Sequence, residues 1–516
     1  MREPGNALWF LRRNVQAVSI WALAALSIAL FMALLTVGRY WVFSDPFPPG
    51  LDGAQWLSYG RAFAGGTGRS AESTYAPLVP ILAHPLGLAL GPVLGVRVLG
   101  TVVLILLAAA VWMAGIHSLG VVWGSLTAAL VLPCTALAEP FYYGGYPQQA
   151  SLAFGVFGLV MLLIASRSAG ADARSKALAF ASIAFLLASA SHLLFGPLLL
   201  GSACLFSVAV SLERPDRRRY LLRAAACLAP AIAASALIAR AFLDLGYRAP
   251  LAVSQRTLVE AWVYATRESP GLWAVMAIAG LAAALAAVVS NISRIHSHAP
   301  PHRIPEAVTL GIAVAAPGGL LMLATGQPRL APPVLLGGAV LFAYACRQLS
   351  RTWARLAPVV LTVWCVLVFW LAGATSGFAR EFAGYYQVFD ASLIAATRCI
   401  PTASSGSIAV AADRRGWPIG WWVEALQERP VFTGSNPQWL AFPEEQSRAS
   451  STAALFASTD AHALRSRAAT MGVEYLVMRK WDWIGWERWT DDAAFAPAII
   501  YDDTETIVLA LIPVSP

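Results

Sequence analysis

The stretch "FSDPFPPGLDGAQWLSYGRAFAGG" (Phe43–Gly66) follows the first long apolar run and decides how the rest of the chain is read. It holds Asp45, Asp52, three prolines and Arg61 inside a sequence that is otherwise mostly hydrocarbon. Pro48, Pro49 and Gly50 break the chain, which leaves Asp52 at the N-cap position of a helix. Trp56, Leu57, Tyr59, Gly60 and Phe63 then recur at helical spacing up to the Gly65–Gly66 pair. A second apolar stretch, "PLVPILAHPLGLALGP" (77–92), is interrupted by prolines and cannot span cleanly. Both stretches are expected to lie as helices in the membrane interface, with their aromatic residues at headgroup depth. The connection as a whole, 39–92, is far longer than an ordinary loop, and its patterning argues for function rather than disorder.

The rest of the composition supports a membrane setting. Of 516 residues 58% are hydrophobic and only 12% charged, against about 25% charged in soluble domains. Apolar stretches of spanning length recur at 16–38, 93–115, 119–138, 148–166, 177–193, 196–212, 221–243, 270–290, 307–325, 330–346 and 357–378, which makes eleven. The net charge of +8 does not point to nucleic acid, because the basic residues gather in short clusters between these runs. Arg2, Arg12 and Arg13, then Arg167, Arg174 and Lys176, then Arg214 to Arg223, then Arg294 and Arg303, then Arg347, Arg351 and Arg355 all fall on one side of eleven spans. The positive-inside rule makes that side the cytoplasm, with the N-terminus inside and the C-terminus outside. The first span reads as a signal anchor. All cysteines except Cys399 lie in apolar runs, so no disulfide framework is expected.

Two parts follow: a membrane module, 1–378, and an extracytoplasmic α/β domain, 379–516. In the second, "SGSIAVAAD" (405–413), "VEYLVMRKW" (473–481) and "ETIVLALIPV" (505–514) read as buried strands. The segment 452–472 has helical periodicity and ends on Gly472 as a cap.

A large outer loop directly after the first span, carrying an acid and two interfacial helices, resembles the type C (GT-C) glycosyltransferases near the aminoarabinose and protein O-mannosyl transferase branch. These are multi-pass enzymes that take a sugar from a polyprenyl-phosphate carrier. That branch has an Asp-Glu pair, an aromatic and an arginine in the loop. The chain offers Asp52, Trp56 and Arg61, then "YAPLVPIL" from Tyr75 where the branch has a proline-rich element. It departs at the second acid, where it has Gly53. "EPFYYGGYPQQA" (139–150), with Tyr146 and Gln148, resembles the Gly-Gly-Tyr-Pro junction of bacterial members, and "TGQPRLAPPVLL" (325–336) sets Arg329 where relatives hold a basic residue.

The resemblance implies a bacterial plasma-membrane glycosyltransferase that moves a hexose or pentose, with inversion, to an acceptor in the cell envelope. Such transfer needs a carboxylate to take the acceptor's proton and positive charge to stabilise the departing phosphate. Asp52 fits the first role, or that of a metal ligand, or merely caps its helix. Arg329 fits the second or snorkels to headgroups, and His192 either touches the phosphate or simply ends a helix. Asp45 and Glu139 are candidates for assistance, and Trp56, Arg61, Tyr75, Tyr146 and Gln148 for positioning substrate. A divalent metal is left open, since Asp45 and Asp52 lack close acidic spacing. "IHSHAPPHR" (295–303) reads as a solvated cytoplasmic loop. The tryptophans of 414–422 and 480–489 read as interface anchors in preference to sugar platforms. The rival classes are a flippase or transporter of lipid-linked sugars and a non-catalytic scaffold of the same fold. Repeat-related halves, which transporters show, are absent.

Overall fold

A computed structural model describes residues 5–65, 75–212, 214–246, 256–296, 304–402, 406–440, 442–483, 485–490 and 499–511. The chain opens with α1 (Gly5–Phe43), the loop helices α2 (Asp52–Phe63) and α3 (Leu78–Leu90), then α4 (Pro92–Leu119). There follow α5 (Val121–Val131), α6 (Thr135–Tyr143), α7 (Tyr146–Arg167), α8 (Ala171–Ser191), α9 (Phe195–Leu212) and α10 (Arg217–Asp244). The membrane part ends with α11 (Leu258–Ala265), α12 (Pro270–His296), α13 (Glu306–Thr325), α14 (Ala331–Thr352) and α15 (Ala357–Tyr386). Among the described residues ten helices are long and apolar enough to cross a bilayer, and the bent pair α5–α6 makes an eleventh. That pair is the third span expected from sequence.

The bend of 50° in that span has a local cause. Pro133 interrupts the helix, and the new N-terminus at Thr135 is met by the buried carboxylate of Glu268, which accepts from the Thr135 amide at 3.2 Å. A carboxylate there complements the unpaired N–H groups and the helix dipole. Trp273 Nε1 donates to the same carboxylate at 3.0 Å. The bend re-aims α6, and with it Glu139 and Tyr143.

Beyond α15 the chain forms α16 (Ala391–Arg398), β1 (Ser407–Val410), α17 (Gly420–Gln427), β2 (Val431–Thr433), α18 (Pro443–Phe456), α19 (Ala461–Met471), β3 (Val473–Arg479), α20 (Glu487–Thr490), β4 (Ile499–Asp502) and β5 (Thr506–Ala510). The sheet order is β2-β1-β3-β5-β4. β1 pairs in parallel with β2 and β3, and β5 pairs antiparallel with β3 and β4. The expected strands are β1, β3 and β5. The helix expected over 452–472 is instead two, because Asp460 caps α19 by accepting from the Ala463 amide at 2.8 Å. Gly472 ends α19 with φ 67°, as its position suggested.

The sheet domain sits directly on the first loop. Trp422 of α17 donates Nε1–H to the Gly50 carbonyl at 3.0 Å, and its ring stacks on Phe389 at 4.3 Å. Tyr59 of α2 reaches Glu445 of α18 at 3.3 Å. Trp417, Trp421 and Trp422 are therefore buried in protein, not set in the membrane interface as expected, because the first loop and the end of α15 supply the surface that lipid would have offered. In the 480–489 stretch Trp489 is likewise buried, while Trp481 is 72% exposed. α2 is also enclosed, with Trp56 and Tyr59 buried, and does not hold its aromatics at headgroup depth. It is α3 that turns an apolar face outward, through Ile81, Leu82, Leu88 and Leu90.

Candidate functional site

The site begins at a seam of glycines. Gly50 has φ 104°, and a Cβ there would meet the Tyr143 carbonyl carbon at 2.6 Å. Gly144 ends α6 with φ 93°, and its Cβ would lie 2.5 Å from the Gly53 nitrogen. A Cβ on Gly53 would meet Val96 Cγ1 at 2.8 Å, with Trp422 also close. The start of α2 is thus pressed against the α6–α7 turn, and Trp56 Nε1 ties the two by donating to the Gly144 carbonyl at 2.7 Å. This gives Gly53 a physical reason: a second acid has no room there. Gly144→Ala is expected to cost about 2–4 kcal/mol, since a left-handed residue and a backbone clash coincide. Thermal unfolding of the purified variant measures it.

Asp52 is the first residue of α2, one place after the N-cap. Leu51 holds the cap position and no side chain caps the helix, so the capping role weighed for Asp52 is not the one it has. Its half-buried carboxyl is pushed up to about 7 by desolvation.

Across the turn, Tyr143 gathers the rest. It lies within electrostatic reach of Glu139, Asp52, Arg329 and Tyr264, and its hydroxyl donates to Gln148 Oε1 at 3.2 Å. Gln148 in turn donates Nε2–H to the Arg329 carbonyl at 3.4 Å. Arg329 sits in a short turn, Pro328–Leu330, between α13 and α14. It also acts on His192, at the end of α8.

His192 Nδ1 accepts from the amides of Leu194 and Phe195, at 3.1 and 3.2 Å. That bond places the ring proton on Nε2. Desolvation, then Arg329, holds the imidazole down at about 3, so it is neutral and offers one N–H donor. Asp52, Glu139, Gln148, His192 and Arg329, from five separate segments, are thereby brought together.

Glu139 is already engaged. Its Oε1 pairs with Arg267 at 2.8 Å and accepts from Tyr386 at 2.8 Å and Tyr264 at 3.0 Å. Arg267 lies over the rings of Tyr264 and Phe382. This network joins α6, α11 and α15 beside Tyr143. Glu139→Gln keeps an acceptor but loses the ion pair. It is expected to lower stability by about 2 kcal/mol, read as a fall in melting temperature, while the affinity for polyprenyl phosphate stays within about twofold.

The other expected site residues have surroundings of their own, and Tyr146 among them lies within electrostatic reach of Asp52. Asp45 is paired with Arg97 at 2.7 Å and is itself 61% exposed. Arg97 also donates to the Trp41 carbonyl at 2.6 Å and stacks on the Trp41 ring at 3.8 Å. It is therefore a buried residue that pins the end of α1 to α4. Arg61 lines a separate small cleft with His84 and Glu428. Tyr75 packs between Trp56, at 5.0 Å, and Phe242, at 5.7 Å. Tyr146 is buried and bonded to Tyr40 at 2.9 Å. The histidine-bearing stretch 297–303 lies outside the described residues.

Tyr143, Tyr264, Arg267 and Tyr386 were not singled out from sequence. The available signal was the charged pair Arg267–Glu268 just before an apolar run, where charges are costly unless paired.

The donor set does not suit a divalent metal. Asp52 has glycine beside it, and the Glu139 carboxylate is taken by a cation and two hydroxyls. Among the described residues no group of three His, Cys, Asp or Glu side chains could hold one.

No family model matches the chain, and no curated protein sequence does. Among solved structures, ArnT from Cupriavidus metallidurans bound to undecaprenyl phosphate is similar, with a TM-score of 0.57 at 13% identity, over 96% of this chain and 99% of that one. So is the archaeal oligosaccharyltransferase AglB from Archaeoglobus fulgidus in complex with an inhibitory peptide and a dolichol-phosphate, with a TM-score of 0.57 at 14% identity, over 88% and 69%. The A. fulgidus enzyme in complex with Zn and sulfate gives 0.56 at 13%, over 88% and 68%. At such identities the likeness is one of fold: the chain has the multi-pass GT-C fold of these membrane transferases.

Proposed function

We propose that the chain is a glycosyltransferase that moves a sugar from a polyprenyl-phosphate donor to a hydroxyl acceptor in the cell envelope. The observation that carries this is Tyr143 set within reach of both a desolvated carboxyl, Asp52, and the Arg329 guanidinium, which in turn acts on the Nε2–H donor His192. ArnT, whose fold is shared along nearly the full length of both chains, is described as bound to undecaprenyl phosphate. That adds weight to a lipid phosphate as the leaving group.

In this reading Asp52 takes the proton of the acceptor hydroxyl as its oxygen attacks the anomeric carbon. The carbon–oxygen bond to phosphate breaks, and the sugar, a hexose or pentose, inverts. The electron pair leaves with the polyprenyl phosphate, whose growing charge Arg329 and His192 stabilise. Asp52 ionises near neutrality, so it is both available as a carboxylate and basic enough to accept a proton. Gln148 and Tyr143 hold the two halves in register, and Trp56, Tyr75 and Tyr146 fix the loop and turn beneath them. Asp45 acts only through Arg97, and Arg61 stands apart. No step runs through a metal.

The proposed setting is a bacterial plasma membrane, with the N-terminus cytoplasmic. The membrane module, 1–378, then carries the site, and the domain 379–516 covers it from the extracytoplasmic side.

Purified protein in nanodiscs, given a panel of radiolabelled polyprenyl-phosphate sugars, is expected to cleave one of them and release polyprenyl phosphate. Movement of a lipid-linked sugar across the bilayer with its bond intact would point to a flippase. Inertness of the folded protein towards every donor would point to a scaffold.

A further inference from the structure

A charged cavity lies at the opposite end of the helices from Asp52. Its volume is about 420 Å³, and it is formed where α7, α8, α9 and α13 meet the loops beside them. Arg167, Arg174 and Arg214 line it, with Asp216 and Glu306 as the acids. Three cations against two anions leave one positive charge in excess.

The excess falls on one residue. Glu306 is committed to Arg167, which donates Nε–H to it at 2.6 Å. Asp216 is committed to Arg214 at 2.9 Å and reaches Arg174 only at 4.0 Å. Arg174 donates Nη2–H to the Ser168 carbonyl at 2.8 Å, but its Nε is buried with no acceptor. A desolvated charged donor without a partner is costly. The lining therefore presents a surplus positive charge, centred on Arg174, to a space with room for a phosphate. Exposed Arg217, Arg218 and Arg219 follow directly, in the first turn of α10. They raise the local positive potential where spanning helices end, which is where anionic headgroups gather.

We infer that this cavity binds a phosphate-bearing anion, held by Arg174 and flanked by Arg167 and Arg214. Two sources share that chemistry: the headgroup of an anionic phospholipid and a soluble phosphate ester. The site is separate from the Asp52 cluster, so the inference stands whether or not the chain transfers sugars.

Native mass spectrometry of the full chain, released from detergent with phosphatidylglycerol or phosphatidylcholine, tests the lipid source. Thermal unfolding with and without inorganic phosphate tests the soluble one. Arg174→Gln removes the surplus charge, and Ala169→Glu adds a carboxylate to the lining while leaving the Arg167–Glu306 and Arg214–Asp216 pairs in place. If the ligand is a headgroup, wild type retains phosphatidylglycerol over phosphatidylcholine by about tenfold, the value of one charge-assisted hydrogen bond, and both variants lose the preference. If it is a soluble ester, phosphate raises the wild-type melting temperature and fails to do so in both variants. Equal retention of the two lipids, with a phosphate response unchanged by either variant, would overturn the proposal. Should Arg174→Gln fail to fold, Ala169→Glu alone decides.

Discussion

Asp52→Asn is expected to lower donor turnover by about 10²–10⁴, the range that a positioned general base contributes, while making the protein more stable at pH 8. The second half of this expectation follows from the sign of the shift. The Asp52 carboxyl rises from 3.8 to about 7 through desolvation. Below the unfolded value both states hold the proton, and stability does not depend on this group. As the pH rises towards 7, the unfolded chain releases its proton while the folded one keeps it, so folding becomes less favourable. Above 7 both are ionised and the loss stays constant. At 1.36 kcal/mol per unit its upper bound is about 4 kcal/mol. Asparagine carries no charge and escapes it. Thermal unfolding of both proteins in the same nanodiscs should give equal melting temperatures near pH 3 and a higher one for the variant at pH 8. A lower value at pH 8 would mean that the ionised carboxyl is held by contacts, contrary to the account.

Arg329→Gln is expected to reduce kcat/KM for the donor by about 10- to 100-fold, the range of a charge-assisted hydrogen bond to phosphate. Affinity for free polyprenyl phosphate should fall alongside it, because the same oxygen atoms are held before and after cleavage. Arg329→Lys should recover part of the affinity, as a point charge without the planar fork. His192 cannot compensate for the loss, since its neutral ring offers a single N–H. Isothermal titration with polyprenyl phosphate, set beside steady-state kinetics, gives both values. An unchanged affinity with lowered kcat would place Arg329 outside the phosphate site.

The large features were legible because each rests on a strong local signal. Spanning helices follow from unbroken apolar length, and even the bent third span was counted correctly, although Pro133 and Glu268 turn it through 50°. The two loop helices followed from proline breaks and helical spacing, and Gly472 from its position after a periodic run. Failures arose where distant packing overrode a local cue. Asp52 sits beside Pro48–Gly50 in the place of a cap, yet the seam with Gly144 shifts the helix start so that Leu51 takes that role. The tryptophans of 414–422 looked like interface anchors because sequence cannot show that a domain hundreds of residues away would receive them. In 452–472 the periodicity ran on across Asp460, whose capping geometry splits the helix.

The site was half legible for the same reason. Asp52, Gln148, His192 and Arg329 lie at helix junctions that could be marked one by one. Glu139 was marked too, but its fixing by Arg267, Tyr264 and Tyr386 depends on three segments meeting. Gly53 was legible only as a departure from a pattern. Its meaning needed Val96 and Gly144, which lie far along the chain and close in space.

The most direct test of Asp52 as the base is the pH dependence of kcat/KM for the donor in the free enzyme. With Asp52 as the base, activity rises with pH and levels off above a single ionisation near 7, the value to which burial pushes Asp52. A profile already flat between pH 5 and 9 would contradict it.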